Sequence, residues 1–178
     1  MTELCTPRLI LRHWREEDLA TFAALNADPL TMQYLGAPLS RSESDAFARR
    51  AEGELARRGF GLWAVEVRGS GRFAGCVGLS VPRFVAHFTP CVEVGWRLAP
   101  ESWGQGYATE AARRCLAFGF GELALRQIVS FTVRENRRSR AVMERLGMQR
   151  DPHDDFEHPR LPPGDPLRSH VLYRIGAD

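Results

Sequence analysis

Three places in this chain hold residues whose types and spacing suit chemistry. The first is Glu93, one carboxylate in the apolar run "CVEVGWRL". Partial burial would raise its pKa toward working pH and make it a proton acceptor, unless it faces solvent or pairs with an arginine. The second is "WGQG", which sets Gly104 and Gly106 directly before a long apolar-periodic run. A helix start leaves backbone N–H groups without partners, and glycine lets a ligand approach the main chain. With the positive end of the helix dipole these make an anion site, and phosphate is the natural guest. The third is "NRRS", with Asn136 and Ser139 at a helix start. Ser139 shares a helical face with Val142, Met143 and Leu146 and should point inward, while Asn136 suits the N-cap position.

The elements that must position these groups can be read from periodicity and punctuation. "RLILRHW" (8–14) predicts a first strand and "REEDLATFAALNAD" a short helix. "SRSESDAFARRAEGELARRGFG" predicts a second helix, capped by Ser42 with Asp45 and stopped at Gly59. "GLWAVEVRGSGRFAGCVGLS" reads as a hairpin around a Gly-Ser-Gly turn. Residues 91–98 form a strand with Val92, Val94, Trp96 and Leu98 on one face and Glu93, Gly95 and Arg97 on the other. After the helix following "WGQG", residues 126–133 give a strand, "ENRRSRAVMERLGM" a helix ending at Gly147, and "HVLYRI" a last strand. With no repeat and no linker, residues 1–178 read as a single domain of mixed α/β (α+β) class.

Three motifs could use "WGQG". A P-loop is excluded, because no Gly-Lys-Ser/Thr follows. The dinucleotide fingerprint nearly fits, with Thr109 where Gly or Ala is wanted. Its acidic residue would be Glu122, which precedes the next strand instead of closing it. The third is the pyrophosphate loop of an acyl-coenzyme A transferase. Here the chain resembles the GNAT superfamily of N-acetyltransferases, in its bacterial ribosomal-protein-acetyltransferase-like branch. "TPRLILRHWREEDL", "VEVGWRLAPESWGQGYATEA" and "VRENRRSRAVMERLGM" carry the resemblance in order, over nearly the whole chain. The family loop Gln/Arg-x-x-Gly-x-Gly/Ala fits at Gly106 and Ala108 but has Trp103 in its first position.

The resemblance implies a GNAT fold: a central, mostly antiparallel twisted sheet with a splayed strand pair, flanked by helices. It implies acetyl-coenzyme A as co-substrate, with no metal. The pantetheine would pair with the main chain of Trp96, Arg97 and Leu98, between the strands ending at Leu98 and Val133. The pyrophosphate would sit on the amides of Trp103, Gly104, Gln105, Gly106, Tyr107, Ala108 and Thr109. Glu93 would be the base, Ser139 the donor to the departing sulfur, and Asn136 a partner of the pantetheine amide. Arg137, Arg138 and Arg140 either attract the adenosine 3′-phosphate or form a solvated basic face. Phe156 and His158 would border the acceptor pocket. Tyr34 and Trp63 are either pocket aromatics or core.

The acceptor implied is a primary amine, either a protein N-terminus or a small molecule. The alternatives are a non-catalytic acyl-coenzyme A sensor and a nicotinamide dinucleotide protein. Of 178 residues 44% are hydrophobic, and the formal net charge is +2, too small to imply nucleic acid. No apolar run approaches the ~20 residues of a membrane span, and the N-terminus does not read as a signal peptide. Cys5, Cys76, Cys91 and Cys115 form no C-x-x-C pair, which suggests small hydrophobes in a cytoplasmic protein, monomeric or homodimeric. His153, Asp154, Asp155, Glu157 and His158 look like metal ligands by composition, but among prolines they read as an acidic loop.

Overall fold

The structure is a computed structural model describing residues 2–177. It opens with strands β1 (Leu4–Cys5) and β2 (Leu9–Arg12), then helices α1 (Asp18–Ala27), α2 (Pro29–Met32) and α3 (Arg41–Arg58). Next come β3 (Leu62–Val67), β4 (Arg72–Ser80), β5 (Glu93–Leu98), α4 (Tyr107–Gly121), β6 (Gln127–Val133) and α5 (Arg137–Arg145). The chain closes with β7 (Gln149–Arg150), β8 (Phe156–Glu157) and β9 (Ser169–Gly176). All strands join one sheet in the order β1-β2-β3-β4-β5-β6-β9-β7, with β8 on β9. Each pairing is antiparallel except β5 with β6.

α3 starts differently from the sequence expectation. Ser40 is its N-cap, and the capping box is closed by Glu43. Ser40 has the extended backbone an N-cap needs, whereas Ser42 already lies inside the helix. Asp45 bonds Arg41 Nε at 2.8 Å instead. β5 is also shorter than the apolar run: Cys91 and Val92 precede it.

Two layers cover the sheet. α4 packs Ala111, Ala112, Cys115 and Leu116 against Val77, Leu79, Val94 and Ile128. α1 and α3 cover the other face, where Phe22, Leu25 and Ala48 meet Ala64 and Cys76. Trp63 is wholly buried among the first set and so belongs to the core. Under α1, Arg12 is nearly inaccessible and donates two bonds to Asp18, at 2.7 and 2.8 Å, and one to Glu66 at 2.7 Å. These bonds push its pKa above the usual arginine range against the cost of burial. A buried cation without such partners costs several kcal/mol. Gly78 lets β4 pass close to the start of β3, since a Cβ there would lie 1.9 Å from the Gly61 carbonyl oxygen.

Candidate active site

The site is built where the sheet parts. β5 and β6 run parallel and register only at Glu93 opposite Val129, with the Val129 N–H donating to the Val92 carbonyl at 2.9 Å. Beyond that point the two strands diverge. On its other edge β5 pairs with β4 from Glu93 to Leu98, and the Ala99 N–H bonds the Ala74 carbonyl. Peptide groups alternate in direction along a strand. Those two bonds fix the alternation, so Val94, Trp96 and Leu98 direct their backbone groups toward β6. An extended ligand can pair with them as a strand would. The Leu98 carbonyl is already engaged by the Trp103 indole N–H at 2.8 Å. Trp103, which replaces the family's Gln or Arg, therefore ties the glycine loop to the end of β5.

Gly104 and Gly106 have φ of +73° and +80°, the left-handed region that disfavours a side chain. Gly106 is the N-cap of α4, whose ladder opens with the Glu110 N–H donating to the Gly106 carbonyl at 3.0 Å. The amides of Tyr107, Ala108 and Thr109 lie ahead of that ladder and are available to an anion. The Gln105 side chain turns back to the Glu101 carbonyl at 2.8 Å.

Glu93 lies on the opposite face from Trp96. Arg97 on that same face bonds Asn26 of α1 at 2.7 Å, and its guanidinium sits 4.9 Å from the Phe47 ring of α3. Burial raises the Glu93 carboxyl to about 7, and the hydrogen bond from Ser80 Oγ at 3.2 Å only partly opposes the rise. A carboxylate poised near neutrality suits proton transfer. Ser80 was not legible as its partner, because cross-strand register is not written locally.

On the α4 face a cavity of about 530 Å³ opens beside the parted strands. Trp96, Trp103, Asn136 and Ser139 line it, with Leu30 of α2 and the following Tyr34 on the far side. Glu93 is outside that lining. Asn136 caps α5, accepting from the Ser139 N–H at 3.2 Å, and its amide donates to Thr132 Oγ1 at 3.0 Å and Ser139 Oγ at 3.1 Å. Ser139 Oγ also accepts from the Trp96 indole at 3.3 Å. With two bonds accepted, the serine O–H is left as a donor toward the cavity. The Trp96 side chain was missed as a site element; strand alternation set it on the face of Val94 and Leu98 without naming its partner.

Arg134, Arg137, Arg138 and Arg140 line an adjoining cavity of about 620 Å³, and the Arg138 guanidinium sits 4.4 Å over the Trp103 ring. The 153–158 acids are paired with arginines: Asp154 with Arg174 at 2.6 Å, Asp155 with Arg134 at 2.9 Å and with Arg150, and Glu157 with Arg168 at 3.1 Å. Among the described residues no group of three or more His, Cys, Asp or Glu could hold a metal. Phe156 and His158 join Phe84, Phe88, Phe131 and His170 in an aromatic cluster over β6 and β9. Val129, which registers with Glu93, belongs to that cluster's packing. The cluster therefore lies on the Glu93 face.

A mixed sheet whose parallel pair opens beside a glycine-rich helix start is the arrangement that the resemblance to GNAT acetyltransferases implied. Comparison with known proteins gives the family. Residues 8–149 match the family model described as "Acetyltransferase (GNAT) domain". The chain is 33% identical over 148 residues to the Bacillus subtilis protein YkkB, covering 83% of this chain and 85% of that one. It matches the crystal structure of the acetyltransferase from Agrobacterium tumefaciens str. C58 at TM-score 0.80 and 28% identity, covering 99% and 95% of the two chains. RimL, a ribosomal L7/L12 α-N-protein acetyltransferase solved in complex with coenzyme A, shares the fold at TM-score 0.78 and 17% identity, with 99% of each chain covered. The chain belongs to the GNAT superfamily and is an acetyl-coenzyme A-dependent N-acetyltransferase.

Proposed function

We propose that residues 1–178 act as one cytoplasmic acetyltransferase domain. It transfers the acetyl group directly, in a ternary complex, to the α-amine of a protein N-terminus. The observation that carries this reading is Glu93, whose carboxyl is raised to about 7 beside the parting of the sheet. At pH 7 an α-ammonium costs about 1–1.4 kcal/mol to deprotonate, a lysine-like ammonium about 4–5 kcal/mol. A base raised toward neutrality takes a proton from the first more readily than from the second. Acidic residues near the aromatic cluster are committed to arginines, which leaves little to attract a polyamine.

In this reading the amine nitrogen bonds the thioester carbonyl carbon, and its proton passes to Glu93, directly or through one water. The carbon–sulfur bond breaks, and the sulfur leaves as a thiol after receiving a proton where Ser139 hydrogen-bonds it. Trp96 and Leu98 hold the pantetheine, the amides of 103–109 hold the pyrophosphate, and Asn136, which holds Ser139, also bonds the pantetheine amide. Direct transfer is supported by Cys91, two residues before Glu93. Burial and the neighbouring Glu93 charge push its thiol up to about 11, so it is a poor nucleophile for a covalent relay.

The test is thiol release from acetyl-coenzyme A with a panel of N-terminal peptides, polyamines, amino acids and aminoglycosides. Release with peptides above all others is expected. Preference for a small amine would replace the acceptor assignment, and no release with any amine of the panel would overturn the N-terminal acceptor and place the substrate outside these classes. With the best acceptor, Ser139→Ala should lower the single-turnover rate about ten- to a thousandfold, as the loss of a positioned donor does. The effect stops short of abolition because a thiolate of pKa about 8.5 already leaves readily. Equal rates for the two proteins would remove Ser139 from the chemistry.

A further inference from the structure

We propose that Arg8 is a positioning residue for the glycine loop, holding the Gln105 carbonyl so that the next amide faces the cofactor. The proposal rests on the reading of 103–109 as the pyrophosphate site. Arg8 stands just before β2, nearly a hundred residues from the loop in sequence, yet its Nη1 donates to the Gln105 carbonyl at 2.9 Å. That carbonyl and the Gly106 N–H belong to one trans peptide, and the two groups of a trans peptide point in opposite directions. Fixing the carbonyl toward Arg8 therefore turns the Gly106 N–H away from Arg8.

Arg8 is itself held in place. Its Nε bonds Glu110 Oε2 at 2.6 Å, and its backbone N–H bonds Glu110 Oε1 at 3.0 Å. Thr6 Oγ1 donates to the same Oε1 at 2.6 Å. The guanidinium lies 4.9 Å from the centre of the Tyr107 ring, in the first turn of α4. Glu110 would otherwise present a carboxylate beside an anion site. Burial raises its pKa, but the bonds from Thr6 and Arg8 hold it below the usual range, so it stays ionised and neutralised by Arg8. The Arg8 side chain is 51% exposed, and ion pairs so open to water contribute little to stability. What Arg8 fixes is the orientation of one peptide, which helix propensity alone does not set at a residue with φ of +80°.

The experiment measures binding of coenzyme A and of dephospho-coenzyme A, which keeps the pyrophosphate and lacks the 3′-phosphate. Arg8→Gln should weaken both by the same factor, about tenfold, as the loss of one charge-assisted orienting bond implies. Arg8→Lys should remain weakened, because a single ammonium nitrogen lacks the planar fork whose separate Nε and Nη1 reach Glu110 and Gln105. Gly106→Val is measured alongside. Loss of binding there with unchanged binding in Arg8→Gln overturns the role of Arg8 and leaves the loop assignment standing. Unchanged binding in folded Gly106→Val overturns the loop assignment and this proposal with it. Full recovery in Arg8→Lys, or a loss seen only with the 3′-phosphorylated ligand, makes Arg8 a charge and not a positioning residue.

Discussion

Glu93→Gln should lower the single-turnover rate about a hundredfold near neutral pH, the low end of what a positioned base contributes. The substitution keeps the shape and the Ser80 contact but removes the basicity. An α-amine needs only modest help, which is why the low end is expected. The wild-type rate should climb as pH rises through about 7, where Glu93 ionises. The variant should recover toward wild type as pH passes the amine's own pKa, near 8 for an α-amine and about 2.5 units higher for a lysine-like one. A pH–rate profile of both proteins reads the base and the acceptor class together. A constant ratio of the two rates from neutrality through the amine's pKa would relegate Glu93 to holding the acceptor or the strand.

Stability supplies an independent reading of the same carboxylate. Its pKa is higher in the folded state than the ordinary 4.5, so the folded protein binds the proton more tightly. Wild type therefore loses stability as pH rises from about 4.5 to about 7, and the loss then stays constant. Glu93→Gln lacks this loss. Its stability relative to wild type should increase across that window and level off above it, as denaturant unfolding at pH 5 and pH 8 would show.

Gly106→Val should weaken coenzyme A binding about a hundredfold or more, the combined loss of two charge-assisted bonds. At φ +80° a β-branched residue is strained, so the loop backbone must shift to take the side chain, and a Cβ there would already lie 3.4 Å from Arg8 Nη2. The first-turn amides that the phosphate would use are then displaced or covered. Gln105→Ala is the matching control: its side chain is turned onto the Glu101 carbonyl, so affinity should change little. Calorimetry on both proteins, with melting curves to verify folding, decides the matter. Wild-type affinity in a folded Gly106→Val protein would move the phosphate elsewhere.

Much of the scaffold was legible because its signals are local. Gly59 stops α3 with φ of +74°, the Gly-Ser-Gly turn joins β3 to β4, and Asn136 caps α5. The Ser40–Glu43 cap was missed because "SRSES" offers several serines, and backbone dihedrals alone decide which one stands outside the helix. The parting of β5 and β6 came from family resemblance, since no strand states where its neighbour leaves it. Long-range partners were illegible for the same reason. Ser80 reaches Glu93 across a hairpin, Trp96 reaches Ser139 from strand to helix, and Arg8 reaches Gln105 across the chain. Each depends on register between elements, not on spacing within one.

The diverging edge of β5 also bears on what limits turnover. In the proposed reading, the groups it offers at Trp96 and Leu98, like the amides of the glycine loop, would address the pantetheine and the phosphates. Those parts are identical in acetyl-coenzyme A and in the coenzyme A left after transfer. Binding that does not distinguish reactant from product cannot raise the rate of the chemical step. It instead makes the spent cofactor a competitor of nearly equal strength. Where the two species together saturate such a site, flux would follow the proportion of acetylated to free coenzyme A, and a rise in both together would leave the acetylation rate almost unmoved.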